Sequence, residues 1–158
     1  MTFRNRAATL QDLETLIELM GEFYAESAVP FDAADARQAF VRLIEDSRLG
    51  SAWLLAIDQD VAGYFVMTVG FSVGFGGAVV TLDDLFVRPA FRGRGLGRAA
   101  LEELRNEAVS RGIRALHLEV EPENHVAVAL YRSAGFRERT LRSMVVLLPS
   151  PLDERRSG

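Results

Sequence analysis

A turn rich in glycine and arginine dominates the interpretation of this chain: Val87-Arg88-Pro89-Ala90-Phe91-Arg92-Gly93-Arg94-Gly95-Leu96-Gly97-Arg98. An apolar strand pattern enters this turn, and an amphipathic helix pattern leaves it. Glycine lets the backbone take a positive φ and approach a ligand closely. The first amides of a helix have no partner inside the helix and, together with the helix dipole, form a site for an anion such as a pyrophosphate. We therefore expect the turn to hold a phosphate-bearing ligand.

Several phosphate- or RNA-binding motifs fit this turn poorly. A Walker A loop ends in Gly-Lys-Ser or Gly-Lys-Thr, and the chain contains no lysine. A dinucleotide fingerprint would have a third glycine at position 98, which is Arg98 here, and it would open a first βαβ unit. An RNA-binding arginine–glycine segment would be longer and would not be followed by an apolar helix face. A plain strand-to-helix turn without a ligand is the simplest alternative.

Upstream of the turn, sequence patterns predict one short strand, two helices and three longer strands. Residues 2–7 alternate weakly and suit a strand. Thr9 and Asp12 have capping-box spacing and predict a helix start, and Asp32, which follows Pro30, predicts the cap of a second helix. Apolar and β-branched runs then predict an antiparallel meander over residues 53–57, 61–69 and 78–87.

Downstream of the turn, the patterns predict two further helices and three strands. Apolar residues repeat at helical spacing after Leu96, and glycines are well placed to end both helices. The predicted elements are a helix from Leu96 to about Gly112, a strand over 115–120, a short helix capped by Asn124 and ended by Gly135, a strand from Phe136 and a strand over 143–148.

The resulting order, β-α-α-β-β-β-α-β-α-β-β, predicts an α/β (α+β) fold. Its sheet should be mixed and mostly antiparallel, with about seven strands and helices on its faces. The length of 158 residues fits one domain. We expect that domain to span residues 1–149, followed by a flexible polar tail over residues 150–158.

Two motifs in this chain resemble those of the GCN5-related N-acetyltransferases (GNAT). The first is Arg92-x-x-Gly95-x-Gly97 after the strand Leu82-Asp83-Asp84-Leu85-Phe86-Val87, and it is similar to the acetyl-coenzyme A signature of that family. The second is Asn124-x-x-Ala127-x-x-Leu130-Tyr131-x-x-x-Gly135-Phe136. The motifs occur in the family's order, and the predicted elements from Thr2 to Leu148 match its fold. The resemblance therefore covers almost the whole chain.

The resemblance implies acetyl-coenzyme A as co-substrate. In the family, a bulge in the strand before the glycine turn opens a cleft for the thioester arm, and bulges re-aim backbone groups. A backbone amide, of Phe86 or Val87, would then donate to the thioester carbonyl, while amides from Gly93 to Arg98 hold the diphosphate. The implied cofactor-binding residues are Leu85, Phe86, Val87, Arg92, Gly93, Arg94, Gly95, Leu96, Gly97, Arg98, Asn124 and Ala127.

The resemblance also implies catalytic roles. Tyr131 matches the family's general acid, which would protonate the departing thiolate. A base must remove a proton from the acceptor amine, and the candidates are Asp83, Asp84 and Glu119. Because adjacent strand residues face opposite ways, at most one of the two aspartates should face the cleft unless the bulge intervenes. We assign the catalytic set to Tyr131, Asp83 and Glu119, and the chain gives no indication of a metal site.

Acceptor-binding residues are expected on the first two helices and on the strand before the turn. Acidic groups there would favour a cationic amine. The strand from Leu82 to Val87 is also similar to that of diamine acetyltransferases, in which an acidic residue at the Asp83 position meets the amine. The predicted acceptor set is Glu22, Tyr24, Glu26, Asp32, Asp83 and Asp84.

Composition excludes several classes of protein. The absence of cysteine excludes disulfides, thiolate zinc sites and a cysteine nucleophile. The net charge of −4 argues against nucleic-acid binding. No apolar run approaches the roughly 20 residues that span a bilayer, and no signal-peptide pattern is present. We therefore expect a cytoplasmic protein without membrane contact, and the resemblance suggests that it can form a homodimer.

The leading hypothesis is an N-acetyltransferase that moves an acetyl group from acetyl-coenzyme A to a small-molecule or peptide amine by direct attack in a ternary complex. Without cysteine, no cysteinyl acyl-enzyme can form. The alternatives are a non-catalytic acetyl-coenzyme A sensor or interaction module of the same fold, and a nucleotide-binding oxidoreductase. The missing third glycine disfavours the oxidoreductase.

Overall fold

Helices and strands alternate along the chain much as the sequence predicts. A computed structural model describes residues 1–149. The helices are α1 (Leu13–Glu26), α2 (Ala33–Glu45), α3 (Leu96–Ser110) and α4 (His125–Ser133), with short 3₁₀ turns at Leu10–Asp12 and Pro89–Phe91. The strands are β1 (Arg6–Ala7), β2 (Gly50–Ile57), β3 (Asp60–Ser72), β4 (Gly77–Val87) and β5 (Ala115–Leu118). The predicted tail, residues 150–158, lies outside the described residues.

The five strands form one open sheet in the order β1-β2-β3-β4-β5. Neighbouring strands are antiparallel except for β4 and β5, which run parallel and are joined through α3. The predicted meander is confirmed as β2, β3 and β4. The parallel pair brings the carboxyl ends of β4 and β5 to the same edge of the sheet, where the glycine turn and α3 begin.

The helix starts follow the predicted capping residues. Asp32 accepts hydrogen bonds from the Ala34 and Asp35 amides at 2.9 and 3.0 Å. Asn124 accepts one from the Ala127 amide at 3.2 Å. Thr9 forms a capping box with Asp12, although the first turn is 3₁₀ and the α-helix proper begins at Leu13. Such caps satisfy helix amides that would otherwise lack partners.

The sheet separates two apolar cores. On one face, α3 packs Ala100, Leu101 and Leu104 against strand residues that include Phe65 and Val80. The opposite face is covered by α1 and α2, and its buried residues are Leu16, Ile17, Leu19, Phe40, Ala52, Leu54, Tyr64, Val66 and Phe86. We call these the α3-side core and the α1/α2-side core. Because each face of the sheet is covered, a strand residue's orientation decides which core it joins.

The two strands predicted at the C-terminal end are absent from the described residues. Residues 136–149 form no strand, so the sheet has five strands and not about seven. Val145, Val146 and Leu147 are mostly exposed. Strand propensity reflects how well side chains pack on a pleated surface. These residues pair with no strand within residues 1–149, and their continuous apolar run lacks the alternation that would give a half-buried strand one inner face.

None of the helices within residues 1–149 is long and apolar enough to cross a membrane.

Close contact between β3 and β4 requires glycine at position 63. A Cβ built there would overlap the carbonyl oxygen of Phe86 on the neighbouring strand. The Cβ is attached directly to one backbone and the carbonyl oxygen belongs to the other, so neither a rotamer change nor a local side-chain shift can relieve the overlap. At Gly70, farther along the same strand, a Cβ would meet only the Val79 Cγ2 at 3.7 Å. Residue 63 therefore fixes the spacing of the two strands beside the glycine turn.

Gly63→Ala should destabilise the protein by about 3 kcal/mol, because the two strands must separate to admit the methyl group. Gly70→Ala, the matched control, should change the free energy of unfolding by less than about 0.5 kcal/mol. Urea unfolding followed by circular dichroism measures both. Equal stability of the two variants would show that β3 and β4 are not this close.

Candidate active site

A β-bulge in β4 lies beside the glycine turn. Val66 on β3 pairs with Asp84, but the next residue, Met67, pairs with Leu82. Asp83 therefore has no partner across the ladder. Leu82 belongs to the α3-side core, whereas Phe86 belongs to the α1/α2-side core. The extra residue thus reverses the facing of the strand, as bulges do, and it lies in the strand where the family resemblance places one.

Asp84 is the one charged residue that is buried among residues 1–149, with 8% of its surface exposed. Its Oδ2 accepts a hydrogen bond of 2.8 Å from the Tyr64 hydroxyl. Burial raises the pKa of Asp84 to about 6; the Tyr64 hydrogen bond opposes this rise and the nearby charge of Asp83 adds to it. A carboxyl with such a pKa is largely ionised at neutral pH yet basic enough to accept a proton.

A cavity of about 440 Å³ opens between α1, α2, β3 and β4, and both aspartates line it. On a regular strand only one of them would face it, so the bulge brings Asp83 and Asp84 together. Asp83 is exposed to solvent, but partial desolvation by its surroundings, and then the charge of Glu119, raise its pKa. The remaining lining residues are Met20, Ala36, Ala39, Phe40, Arg42, Leu43, Leu49, Val66, Thr68 and Val69.

The predicted acceptor residues on the helices occupy other positions. Glu22 and Glu26 form ion pairs with Arg88 and Arg92, respectively, and neither lines the cavity. Asp32 caps α2. Tyr24 lies within electrostatic reach of the aspartates, because burial and then the charges of Asp84 and Asp83 raise its pKa. None of these four residues lines the cavity, although Tyr24 is close enough to the two aspartates to interact with their charges.

The glycine turn presents backbone amides without acceptors. Gly93 and Gly95 have φ values of 74° and 89°, and Gly95 caps α3. The first backbone hydrogen bond into this helix runs from the Ala99 amide to the Gly95 carbonyl, at 3.0 Å. Within the described part of the chain, no amide from Gly93 to Arg98 donates to a backbone or side-chain acceptor. These amides can hold an anion.

Two arginines of the turn brace it against α1. Arg88 donates to Glu22 and Glu18, and it also contacts the Val61 carbonyl. Arg92 donates to the carboxylate of Glu26 at 2.7 Å and to the Val87 carbonyl at 2.9 Å. Their side chains are thus occupied by partners in the protein.

The other two arginines are more accessible. Arg94 donates to the Ala90 carbonyl at 3.2 Å and lies over the Phe91 ring. Arg98 is exposed and forms no ion pair with residues 1–149. Of the arginines predicted to meet a phosphate, Arg98 is the one whose guanidinium has no protein partner in the described residues.

Tyr131 lies near the start of α3. Gly97 contacts α4 so closely that a Cβ there would come within 2.9 Å of the Leu130 Cδ2. Tyr131, the next residue, packs against the α3-side core and makes an edge contact with Phe136, with ring centroids 5.9 Å apart. Burial raises the pKa of its phenol, which keeps it protonated at neutral pH.

The two remaining predicted residues lie at accessible positions. Glu119 follows β5 and is exposed, although its charge reaches Asp83. Asn124 is exposed at the start of α4, where it caps the helix through the Ala127 amide. The cofactor, catalytic and acceptor assignments made from the sequence remain predictions.

The fold and its glycine turn agree with the comparison to known families. Residues 13–136 match the sequence model described as "Acetyltransferase (GNAT) family". The chain belongs to this family. The resemblance that its two motifs indicated is therefore confirmed, and so is the GNAT fold class, with a mixed and mostly antiparallel sheet.

Several known proteins are similar to this chain over parts or most of their length. The [Ribosomal protein bS18]-alanine N-acetyltransferase of Salmonella typhimurium is 50% identical over 62 residues, which are 39% of this chain and only 42% of that protein. An integron cassette protein from the mobile metagenome of Cole Harbour Salt Marsh is 37% identical, with a TM-score of 0.83 and coverage of 93% and 91% of the two chains. A predicted acetyltransferase with acetyl-CoA from Clostridium acetobutylicum shares the fold alone, at 15% identity and a TM-score of 0.78, over 92% and 96% of the chains.

Sequence reasoning missed the partner of Asp84 and the depth of its burial. Tyr64 is 20 residues away in sequence and reads as one of several aromatic residues of a strand. Sequence periodicity does not reveal the inserted residue at position 83. Because of this insertion, the side chains of Tyr64 and Asp84 face the same side of the sheet. A shift in the alternation of apolar residues in the middle of β4 could have indicated the bulge, but only once the register between β3 and β4 was known.

Asp84→Asn should stabilise the protein at pH 7.5 by up to about 3 kcal/mol. Because the pKa of Asp84 is about 6 in the folded protein, against an ordinary value of 3.8 for an aspartate, the folded state favours the protonated carboxyl. Stability from this group is therefore full below about pH 4 and is lost as pH rises to about 6. Asparagine stays neutral and can still accept from Tyr64, so its advantage should be present at pH 7.5 and absent at pH 4.

Urea unfolding of the wild type and the variant at both pH values measures this difference. Asp60→Asn, which changes an exposed carboxylate at the start of β3, is the control and should shift unfolding by less than about 0.5 kcal/mol. An Asp84→Asn protein that is no more stable than the wild type at pH 7.5 would contradict the burial cost assigned to Asp84.

Proposed function

We propose that this chain transfers an acetyl group from acetyl-coenzyme A to an amine by direct attack in a ternary complex. The observation that carries the proposal is the bulge at Asp83, which directs two carboxylates toward one cavity. The same strand leads to the glycine turn, whose amides are unpaired within residues 1–149. Family membership supports the reaction type. The acetyl-CoA complex of a protein with the same fold supports the donor.

The glycine turn fits the diphosphate of the donor. The amides from Gly93 to Arg98 lack protein acceptors within the described residues, and a Cβ at Gly93 would meet no atom within 4 Å. The backbone is therefore open to a ligand. Each hydrogen bond to a charged group contributes about 1.5–3 kcal/mol. In our proposal Arg98 adds a charge beside the phosphates, while Arg92 holds the turn in place through Glu26 and acts only indirectly.

The strand residues Leu85, Phe86 and Val87 would lie along the arm of the donor. Beyond the bulge, an amide of Phe86 or Val87 would donate to the thioester carbonyl. That oxygen gains negative charge as the amine attacks, so the hydrogen bond strengthens in the transition state, an effect of about 2.7–4 kcal/mol for such donors. Side chains of the same residues pack in the two cores, and the backbone remains available for this role.

Asp84 fits the role of base better than the other two carboxylates. A primary ammonium group has a pKa of about 10.4 and must lose a proton before it attacks. Asp84 is buried in the cavity wall with a pKa of about 6, whereas Glu119 is exposed beyond β5. We assign proton acceptance to Asp84 and charge recognition of the incoming ammonium to Asp83, with Glu119 as a more distant acidic group.

Tyr131 would supply the final proton. The neutral amine nitrogen forms its bond to the carbonyl carbon, the carbon–sulfur bond breaks, and the phenol donates its proton to the departing thiolate. The nitrogen then loses its second proton, which returns through solvent to the phenolate and restores the phenol. Burial raises the pKa of Tyr131, so the phenol reaches this step protonated. Its position beside Leu130, which contacts the start of α3 at Gly97, is consistent with a reacting group near the carboxyl end of β4.

Tyr131→Phe should lower the rate of amine-dependent coenzyme A release by about 10²–10³-fold while acetyl-coenzyme A affinity changes little. The substitution keeps the ring and removes only the proton donor. A thiol-detection assay across several amine classes gives the rate, and calorimetry gives the affinity. If the wild type binds acetyl-coenzyme A but releases no coenzyme A with any amine class, the protein is a sensor and the proposed reaction is wrong.

Gly95→Val should abolish acetyl-coenzyme A binding. Valine at a φ of 89° forces the turn out of its shape and places a branched side chain beside the free amides. Gly76→Val is the control: Gly76 also has a positive φ, of 78°, but it lies in the β3–β4 loop away from the glycine turn. A Cβ at Gly76 would meet no atom within 4 Å, whereas one at Gly95 would lie 3.6 Å from the Phe3 ring, an ordinary van der Waals contact. Both variants should lose stability, and only Gly95→Val should lose the ligand. Normal affinity in a folded Gly95→Val protein would refute the assignment.

A further inference from the structure

We infer that the acceptor is a small primary amine whose apolar body carries an anionic group at the end opposite the amine. This inference rests on the proposed function and concerns the cavity between α1, α2, β3 and β4. Charge is distributed unevenly along that cavity, which is acidic at one end, apolar along its walls and basic at the other end.

The acidic end lies at the bulge. Asp83 and Asp84 line the cavity beside Val66, the residue that pairs with Asp84 across the ladder. An ammonium group placed here meets two carboxylates. The same end faces the strand that leads to the glycine turn, so the amine enters next to the proposed donor.

The walls of the cavity are almost entirely apolar. They comprise Met20, Ala36, Ala39, Phe40, Leu43 and Val69. Burying a hydroxyl or amine without a hydrogen-bond partner costs free energy, and Thr68 is the one uncharged polar side chain in the lining. A polyhydroxylated amino sugar would leave several such groups unsatisfied, whereas an aromatic or aliphatic body fits.

The basic end is formed by Arg42. Val69 lies three residues along β3 from Val66, which is at the acidic end of the cavity. Three strand residues span about 10 Å, so Val69 is about that far from the acidic end. The Val69 amide donates to the Leu49 carbonyl at 2.8 Å, so Leu49 marks this far end. Because α2 ends at Glu45, four residues before Leu49, its last turn lies at the same end. Arg42 is in that turn and lines the cavity there.

Arg42 is available to a ligand. Its guanidinium forms no ion pair or hydrogen bond with a side chain of residues 1–149, unlike Arg37 on the same helix, which is paired with Glu14. A free guanidinium facing a cavity recognises a carboxylate through directed hydrogen bonds. It also repels a second positive charge on the acceptor.

The two glutamates of α1 in the predicted acceptor set do not offset that repulsion. Glu22 and Glu26, which could have received the second ammonium of a polyamine, are held by Arg88 and Arg92. Among the residues that line the cavity, a polyamine therefore finds carboxylates at one end only, and its other end meets Arg42. The charge pattern selects an acceptor with one cationic end and one anionic end.

Three amines with the same benzylic body test this inference. They are para-(aminomethyl)benzoate, benzylamine and para-xylylenediamine, and they differ only in the group across the ring: anionic, absent or cationic. Coenzyme A release with each gives kcat/KM, and calorimetry in the presence of coenzyme A gives binding without turnover. We expect the carboxylate to be preferred over benzylamine by about tenfold, the effect of one charged hydrogen bond at a partly exposed site, and the diamine to be the poorest.

Arg42→Gln identifies the residue responsible. The preference for para-(aminomethyl)benzoate over benzylamine should fall to near one, and its binding should weaken about tenfold. Arg37→Gln, on the same helix and outside the cavity lining, is the control and should keep the preference. The ratio of two substrates is insensitive to a general loss of active protein.

The outcomes separate this inference from the proposed function. Turnover of all three amines with equal kcat/KM, or a diamine preferred over the carboxylate, overturns the inference and leaves the acetyltransferase proposal intact. A carboxylate preference that survives Arg42→Gln also overturns it. Failure of every amine class to release coenzyme A refutes the proposed function, and the inference with it.

Discussion

The inserted residue at position 83 is the constraint on which the rest of the site depends. A strand has a side-chain period of two, so one extra residue exchanges the faces of everything beyond it. Before the bulge, Val80 and Leu82 belong to the α3-side core; after it, Phe86 belongs to the α1/α2-side core. Asp84 consequently lies beside Tyr64 under α1 and α2. Without the bulge it would face α3, and the cavity would lose its buried carboxylate.

This arrangement carries a cost in stability at neutral pH. A buried carboxylate with a raised pKa weakens the folded state at neutral pH. The Tyr64 hydrogen bond reduces that penalty but does not remove it, because the pKa of Asp84 still lies at about 6. Native proteins place such destabilising groups at functional sites. The burial of Asp84 is therefore evidence for chemistry at the cavity that is independent of the family match.

Local signals were sufficient to predict most of the fold but not the depth of the site. Caps such as Asp32 and Asn124, and the positive φ of Gly95, act within a few residues and were readable from the sequence. The strands predicted from Phe136 and over 143–148 were wrong, because strand formation depends on a pairing partner that no local pattern reveals. The contact between Tyr64 and Asp84 depends on register across two strands, which sequence periodicity alone does not determine.

The arginines of the glycine turn differ in their contacts, and so in the roles that they can have. Two of the four guanidinium groups are held by the protein, because Arg88 and Arg92 reach back to Glu22 and Glu26 on α1. Those ion pairs tie the helix that covers one side of the acceptor cavity to the turn that begins α3. Main-chain donors, whose directions are set by Gly93 and Gly95, are then left for the ligand. Arg88 and Arg92 thus hold the two proposed binding regions in a fixed relation. A ternary complex requires such a relation because the amine and the thioester must come into contact.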